Sequence, residues 1–213
     1  MCAKAVAADW QLPLLKLDTS GIYDKYVGES EKHFLSAIRS AERAAPAILW
    51  IDEIEKAFSG GDQDGGVSTR ILGTFLSWLQ ERRGDVFVVA TANDIARLPA
   101  ELVRKGRFDE IFFVDLPDAD VRESIFRLHL KRRKQPIDAF DLPALAEATD
   151  GFSGAEIEQV VVSALYGVFA AGGKLSMENL SAEIARTRPL SATMEERIQG
   201  LRDWSQGRTV SAH

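Results

Sequence analysis

Four short β-rich runs, LLKL (14–17), AILWI (47–51), VFVVAT (86–91) and IFFV (111–114), recur along the chain with about a helix length of sequence between each and the next. Successive strands at that spacing need crossover connections rather than tight hairpins. The intervening segments carry the matching pattern. Phe34, Ile38 and Ala41 recur at helical spacing before Pro46, and Ile71, Leu72, Phe75, Leu76 and Leu79 do so in the next interval. The alternation predicts an α/β fold, a parallel sheet covered by helices on both faces.

After Pro117 the pattern becomes helical only. One helix is predicted from about Ala119 to Arg133, with Val121, Ile125 and Leu128 on one face and a basic C-terminal end that suits the helix dipole. In SGAE, Ser153 followed three residues later by Glu156 matches a capping box, and Gly172 and Gly173 end the helix it starts. Further helices are predicted near 177–187 and 193–205. The organisation read from this is an α/β body over 1–116, an all-helical lid over 117–190, and a C-terminal helix and tail over 191–213. The stretch SGGDQDGG (59–66) reads as a mobile loop. Asp62 and Asp64 within it lack the third ligand and the terminal glutamate of a calcium loop.

The formal net charge of −6 argues against nucleic acid or an anionic membrane as the main partner, and Lys131–Lys134 is the one basic cluster that stands out. Cys2 is the single cysteine, which excludes an internal disulfide and any cysteine-based zinc site. No apolar run approaches the roughly 18 residues needed to span a bilayer. The start MCAKAVAADWQLP lacks the basic and apolar regions of a signal peptide. The expected location is the cytoplasm.

The run ILWIDEIEKAF (48–58) sets Asp52 and Glu53 directly after a buried-looking strand. In open α/β sheets the carboxyl edge of the strands is where ligands bind. Two solvated residues opening a loop would look the same in that stretch alone. A second β-rich run ends in ATAND (90–94), which places Asn93 at the matching edge, where it either orients a water or simply forms a turn. Arg104 and Arg107 then precede the fourth run, and guanidinium forks suit phosphate.

The segments KYVGESE, ILWIDEIE, ATAND, LVRKGRFDEI and TDGFSGAEIEQV stand in an order and spacing that resembles AAA+ ATPases of the classical AAA subgroup, over residues 1–190. GTFLSWLQE and KGRFDEIFFVDLP are similar, more narrowly, to cyanobacterial and plastid AAA proteins of the hypothetical chloroplast reading frame type, which implies the plastid stroma as the location if the gene is plastid-encoded. The resemblance implies a P-loop NTPase-like sheet followed by an AAA+ lid, with ATP and Mg²⁺ as cofactors. It also implies a homo-oligomeric ring, a hexamer when complete, acting on a protein substrate. By the same resemblance Asp52 is the Walker B magnesium residue, Glu53 the catalytic base and Asn93 the sensor of water and γ-phosphate. Arg104 is the arginine finger serving a neighbouring subunit and Arg107 its companion, while His129, Gly154 and Ala155 line the ribose and adenine. Lys25, Tyr26, Val27 and Gly28 match a substrate-gripping pore loop, in which Tyr26 would otherwise be read as packed on the sheet edge.

Two departures qualify this. No GxxxxGK[ST] string occurs in the 213 residues, although that loop supplies the N–H groups and lysine that cradle phosphates. The sequence resembles the family from just after that motif, so the expectation is an N-terminally truncated module that lacks the sheet's middle strand and is inactive by itself. A non-hydrolysing interaction module is the alternative. QERRGD (80–85) also stands where many relatives carry an Asp-Gly-Phe-type intersubunit signal, so coupling between subunits is expected to differ.

Overall fold

The computed structural model describes residues 2–17, 29–58, 66–81, 85–104 and 106–212. The expected pore loop, Lys25 to Gly28, and most of the loop at 59–66 lie outside these residues. The chain divides into two compact units, Met1–Ile111 and Phe112–His213.

In the first unit Leu14–Leu17 (β1), Ala47–Ile51 (β2) and Val86–Ala90 (β3) form a parallel sheet in the order β1-β2-β3. Side-chain alternation sorts these strands onto two faces. Leu17, Leu49, Ile51 and Val86 pack with Phe34, Ile38 and Ala41 of Glu29–Arg43 (α2) and with Ile71, Phe75 and Leu79 of Val67–Glu81 (α3). The helical spacings read from the sequence for these two segments are thus the buried faces. The face read for the helix after Pro117 is not, since Leu128 there is exposed and Phe126 and Leu130 are buried instead. On the opposite side lies Cys2–Trp10 (α1), whose Trp10 meets Phe87 edge-on with ring centroids 4.9 Å apart. Between these layers β2 has Ala47, Ile48, Leu49 and Ile51 all buried, as a central strand requires.

The fourth expected strand departs from the sequence reading. Phe112–Phe113 (β4) pairs in parallel with Val210–Ser211 (β5), Phe112 opposite Val210 and Phe113 opposite Ser211, and is not part of the three-stranded sheet. A strand needs an open ladder beside it. The ladder that receives this run is the C-terminal segment. Residues 112–116 and 191–213, assigned by sequence to the body and to a separate tail, therefore both fall in the second unit.

That unit is built from Ala119–Arg132 (α4), Leu142–Ala148 (α5), Gly154–Ala171 (α6) and Met177–Arg186 (α7), then Leu190–Thr193 (α8) and Glu195–Ser205 (α9). Phe126 and Leu130 of α4, Leu145 of α5, Ile157 and Val161 of α6 and Leu180 of α7 form its core. The sequence reading missed α5, whose signal is Asp141 ahead of Leu142 and Pro143. The Asp141 side chain accepts from the Ala144 N–H at 3.1 Å, with proline in the first turn. Arg122 is 94% buried by the same packing and donates to the carbonyls of Ala146 (2.9 Å) and Pro117 (2.8 Å). Asp150 lies 3.3 Å away to balance its charge. No helix among the described residues is long and apolar enough to cross a membrane.

The capping box forms as expected, and Glu156 also does more. Its carboxylate accepts from the Ser153 N–H and hydroxyl, each at 2.7 Å, and its other oxygen accepts from the Leu190 N–H at 2.7 Å. Burial alone would raise its pKa, but the Ser153 and Leu190 donors outweigh that and hold it below the ordinary 4.5. A carboxylate with a lowered pKa contributes stability above its unfolded value and loses it as pH falls through the folded value. Glu156→Ala should cost about 1–2 kcal/mol, the scale of a lost cap, in denaturant unfolding at pH 7. The gap between variant and parent should narrow as pH drops below the ordinary 4.5 and through the lower folded value.

Candidate functional site

The site begins with how two strand ends are tied. Beyond β2 and β3 the backbones remain bonded, Thr91 N–H to the Ile51 carbonyl and Ile54 N–H to the Thr91 carbonyl, both at 2.9 Å. Asp52 and Glu53 lie inside that bracket. Glu53 has φ +50, in the left-handed region that costs a non-glycine residue on the order of 1 kcal/mol. The turn is held by side-chain chemistry. Thr91 Oγ1 accepts from the Glu53 N–H at 3.2 Å and donates to Asp52 Oδ1 at 2.7 Å, so one hydroxyl fixes both residues.

The remaining contacts complete a small polar unit. Asn93 Nδ2 donates to Glu53 Oε1 at 3.0 Å. The Asn93 N–H donates to Glu55 Oε1 at 3.1 Å, and Glu55, on the 3₁₀ turn Ile54–Phe58, is itself buried. Lys16 Nζ lies 3.1 Å from Asp52 Oδ2 and Lys56 Nζ 2.5 Å from Glu53 Oε2. The Thr91 hydroxyl bond holds Asp52 below the usual carboxylate range, and the Lys56 ammonium does the same for Glu53. Two adjacent carboxylates are thereby kept ionised side by side, each with its own lysine. Both remain partly exposed, their side chains at 39% and 37%.

Of the residues singled out by sequence, the structure brings together Asp52, Glu53 and Asn93. Arg104 and Arg107 lie in the turns after Pro99. Arg104 is exposed, and the Arg107 guanidinium donates to the Glu101 carbonyl. His129, Gly154 and Ala155 belong to the second unit. Sequence reasoning missed Thr91, Lys16, Lys56 and Glu55. The signal for Thr91 was a hydroxyl at the last position of VFVVAT, directly across the sheet edge from Asp52.

In the second unit His129 is 93% buried on α4. Its Nδ1 lies 3.1 Å from an Arg133 nitrogen and 3.4 Å from Glu158 Oε1, and Arg133 bonds the same Glu158 oxygen at 2.9 Å. Burial pushes the imidazole pKa down, so the ring is neutral at pH 7 and Nδ1 accepts from Arg133. Arg133 rather than an imidazolium then balances Glu158. Gly154 opens α6, and a Cβ there would stand 3.4 Å from Ile125 Cδ1. Gly154 and Ser153 also line an open cavity of about 330 Å³, together with Val114, Leu116 and Leu201.

For a magnesium ion, Asp52 offers an ionised, oriented, hard oxygen donor. Among the described residues no group of three or more His, Cys, Asp or Glu could hold a metal ion. A single oriented carboxylate fits an ion that takes one ligand from the protein and its others from phosphate and water, the usual habit of magnesium.

Comparison with known proteins agrees with this architecture. Residues 1–116 match the ATPase family associated with various cellular activities (AAA), and residues 139–181 match the AAA+ lid domain. The chain is 45% identical, over its full length, to the AAA domain-containing protein ycf46 of Pyropia yezoensis, and 44% identical, over 96% of it, to that of Guillardia theta. It spans 44% and 41% of those two proteins. A proteasome-activating nucleotidase of Saccharolobus solfataricus is 36% identical over 92% of the chain and 51% of its own length. The crystal structure of the FIGL-1 AAA domain in complex with ADP superimposes with a TM-score of 0.82 at 21% identity, covering 98% of this chain and 74% of that one. At that identity the likeness concerns the fold alone.

The Thr91 hydroxyl is the strongest of the influences on Asp52. Thr91→Val keeps the shape and removes that bond, so the Asp52 pKa should rise toward its ordinary 3.8 in a carboxyl-detected NMR titration. An unmoved pKa would transfer the control of Asp52 to Lys16.

Proposed function

Because the chain belongs to the ATPase family associated with various cellular activities, we propose that it is the ATPase module of a ring-forming protein that couples ATP hydrolysis to pulling or remodelling a polypeptide. The observation that carries this reading is the hydrogen-bonded group of Asp52, Glu53, Thr91 and Asn93 at the carboxyl edge of a parallel sheet. A magnesium ion arriving with the triphosphate would supply charge neutralisation of the transferred phosphoryl group.

Each residue then has a task. Asp52, aimed by Thr91, holds the metal or a water of its shell. Glu53 accepts a proton from the attacking water through the oxygen that Asn93 now occupies, and Asn93 keeps that carboxylate in register. Glu53 enters this step clasped by Lys56, so that ammonium must swing aside or follow the proton's charge. Arg104, exposed in its turn, reaches the nucleotide of the adjacent subunit in a homo-oligomeric ring, proposed as a hexamer. Arg107 steadies that turn through the Glu101 carbonyl. In the lid, neutral His129 and the Gly154 and Ala155 backbone line the ribose and adenine, and Tyr26 grips the substrate polypeptide.

The competing reading is a non-hydrolysing module that joins a ring through the face bearing the exposed Arg104.

In a form that carries the phosphate loop, Glu53→Gln should keep ATP affinity and lose turnover by about 100-fold or more, the scale of a general base. Unchanged steady-state hydrolysis removes Glu53 from the chemistry. Arg104→Ala should lose roughly 1,000-fold at concentrations where rings form. Mixing it with the Glu53→Gln protein should then restore hydrolysis at a fraction of the interfaces, and no restoration at any ratio would contradict a finger shared between subunits.

A further inference from the structure

Lys16 is held at two points that the proposed chemistry does not use. It stands opposite Trp50 in the β1–β2 register, so both side chains leave the same face of the sheet. Its ammonium lies 4.5 Å from the centroid of the Trp50 ring and 3.1 Å from Asp52 Oδ2. The Lys4 ammonium approaches the same ring at 5.9 Å. Asp52 thus has one oxygen bonded by the neutral Thr91 hydroxyl and the other met by a monovalent cation on a flexible stem.

Trp50 itself calls for a reason. Its indole N–H is buried and has no hydrogen-bond partner among the described residues, an unfavourable arrangement that a leucine or phenylalanine would avoid. What tryptophan offers over those residues is the strongest aromatic face for a cation. The ring therefore gives the Lys16 ammonium a second resting place beside the carboxylate.

A magnesium or manganese ion on Asp52 Oδ2 needs the position the ammonium fills, since the metal stands about 2.1 Å from its oxygen ligands and the ammonium is already 3.1 Å from that atom. The two cations also repel each other at this range. We propose that Lys16 is a tethered counter-cation that keeps free divalent metal off Asp52 and yields the carboxylate to metal delivered with a triphosphate, the Trp50 face receiving the displaced ammonium. A metal that comes with phosphate brings its own negative charge, which a nearby ammonium attracts rather than repels. Lys16 thereby makes the carboxylate selective for the metal–nucleotide complex over the bare ion. This rests on the reading of Asp52 as the metal residue.

The test is a titration of the 213-residue chain with Mn²⁺ alone, free ion being followed by electron paramagnetic resonance. Lys16→Met keeps the stem on Trp50 and should bind Mn²⁺ about three- to tenfold more tightly, the scale of removing a like charge a few ångströms from a dication in a water-exposed site. Lys16→Arg keeps the charge and should match the parent, and Lys16→Met with Asp52→Asn should lose the gain. Lys16→Met binding within twofold of the parent, a gain that survives Asp52→Asn, or Lys16→Arg behaving like Lys16→Met would each overturn the proposal. Unfolding curves for every variant separate a local effect from a damaged fold, and Lys16→Gln, which also removes the charge, takes the place of the methionine variant if that one is unstable, with the same expected gain and the same overturning result. The result is independent of the hydrolytic reading. Tightened Mn²⁺ binding with an unimpaired Glu53→Gln enzyme would sink that reading and leave Lys16 in place, and the converse pair of results would do the opposite.

Discussion

Thr91 Oγ1 takes a hydrogen from the Glu53 backbone and gives its own to the Asp52 carboxylate, and with those two bonds the ends of β2 and β3 become one object. Everything proposed for the first unit depends on this. Glu53 holds a left-handed backbone conformation, and an N–H acceptor placed by the neighbouring strand is what makes that conformation tolerable. The parallel register Ile51 to Ala90 brings Thr91 alongside Asp52, and the buried side chains of β2 keep that register from slipping. Core packing is thereby converted into the aim of a carboxylate.

The electrostatics follow from the same arrangement. Two adjacent carboxylates would ordinarily raise each other's pKa. Here the Thr91 hydroxyl lowers Asp52 and the Lys56 ammonium lowers Glu53, so both stay charged at neutral pH without deep burial. The lysines differ in setting. Lys56 sits three residues along its own turn, whereas Lys16 comes from a neighbouring strand and is shared with an aromatic ring. The second unit shows the opposite solution at His129, where burial removes a charge and Arg133 takes over the balance of Glu158.

Much of the fold was legible because the relevant signals were periodic. The β-rich runs at 14–17, 47–51 and 86–91 and the helical faces of α2 and α3 needed only alternation and spacing, and the Ser153–Glu156 box marked the start of α6. Asp52, Glu53 and Asn93 were legible as a group because each follows a strand. Residues that act across strands left no such trace. Thr91 and Lys16 look like ordinary members of their strands, and only the register reveals that they meet Asp52. The pairing of β4 with β5 was illegible for a related reason. Strand character in Phe112–Phe113 was visible, but the partner of a strand is a property of what ladder stands open beside it.

The central claim is that Asp52, Thr91 and Asn93 form the place where a metal-bound nucleotide meets this protein. Adding Mn²⁺·ATP in small steps to isotope-labelled protein tests it most directly, because the ion broadens NMR signals steeply with proximity and reports even weak binding. The account predicts that the Asp52 and Thr91 amides and the Asn93 side-chain amide broaden first and together, with the effect abolished by Asp52→Asn. Broadening centred elsewhere in the first unit, with these three signals untouched, would contradict it.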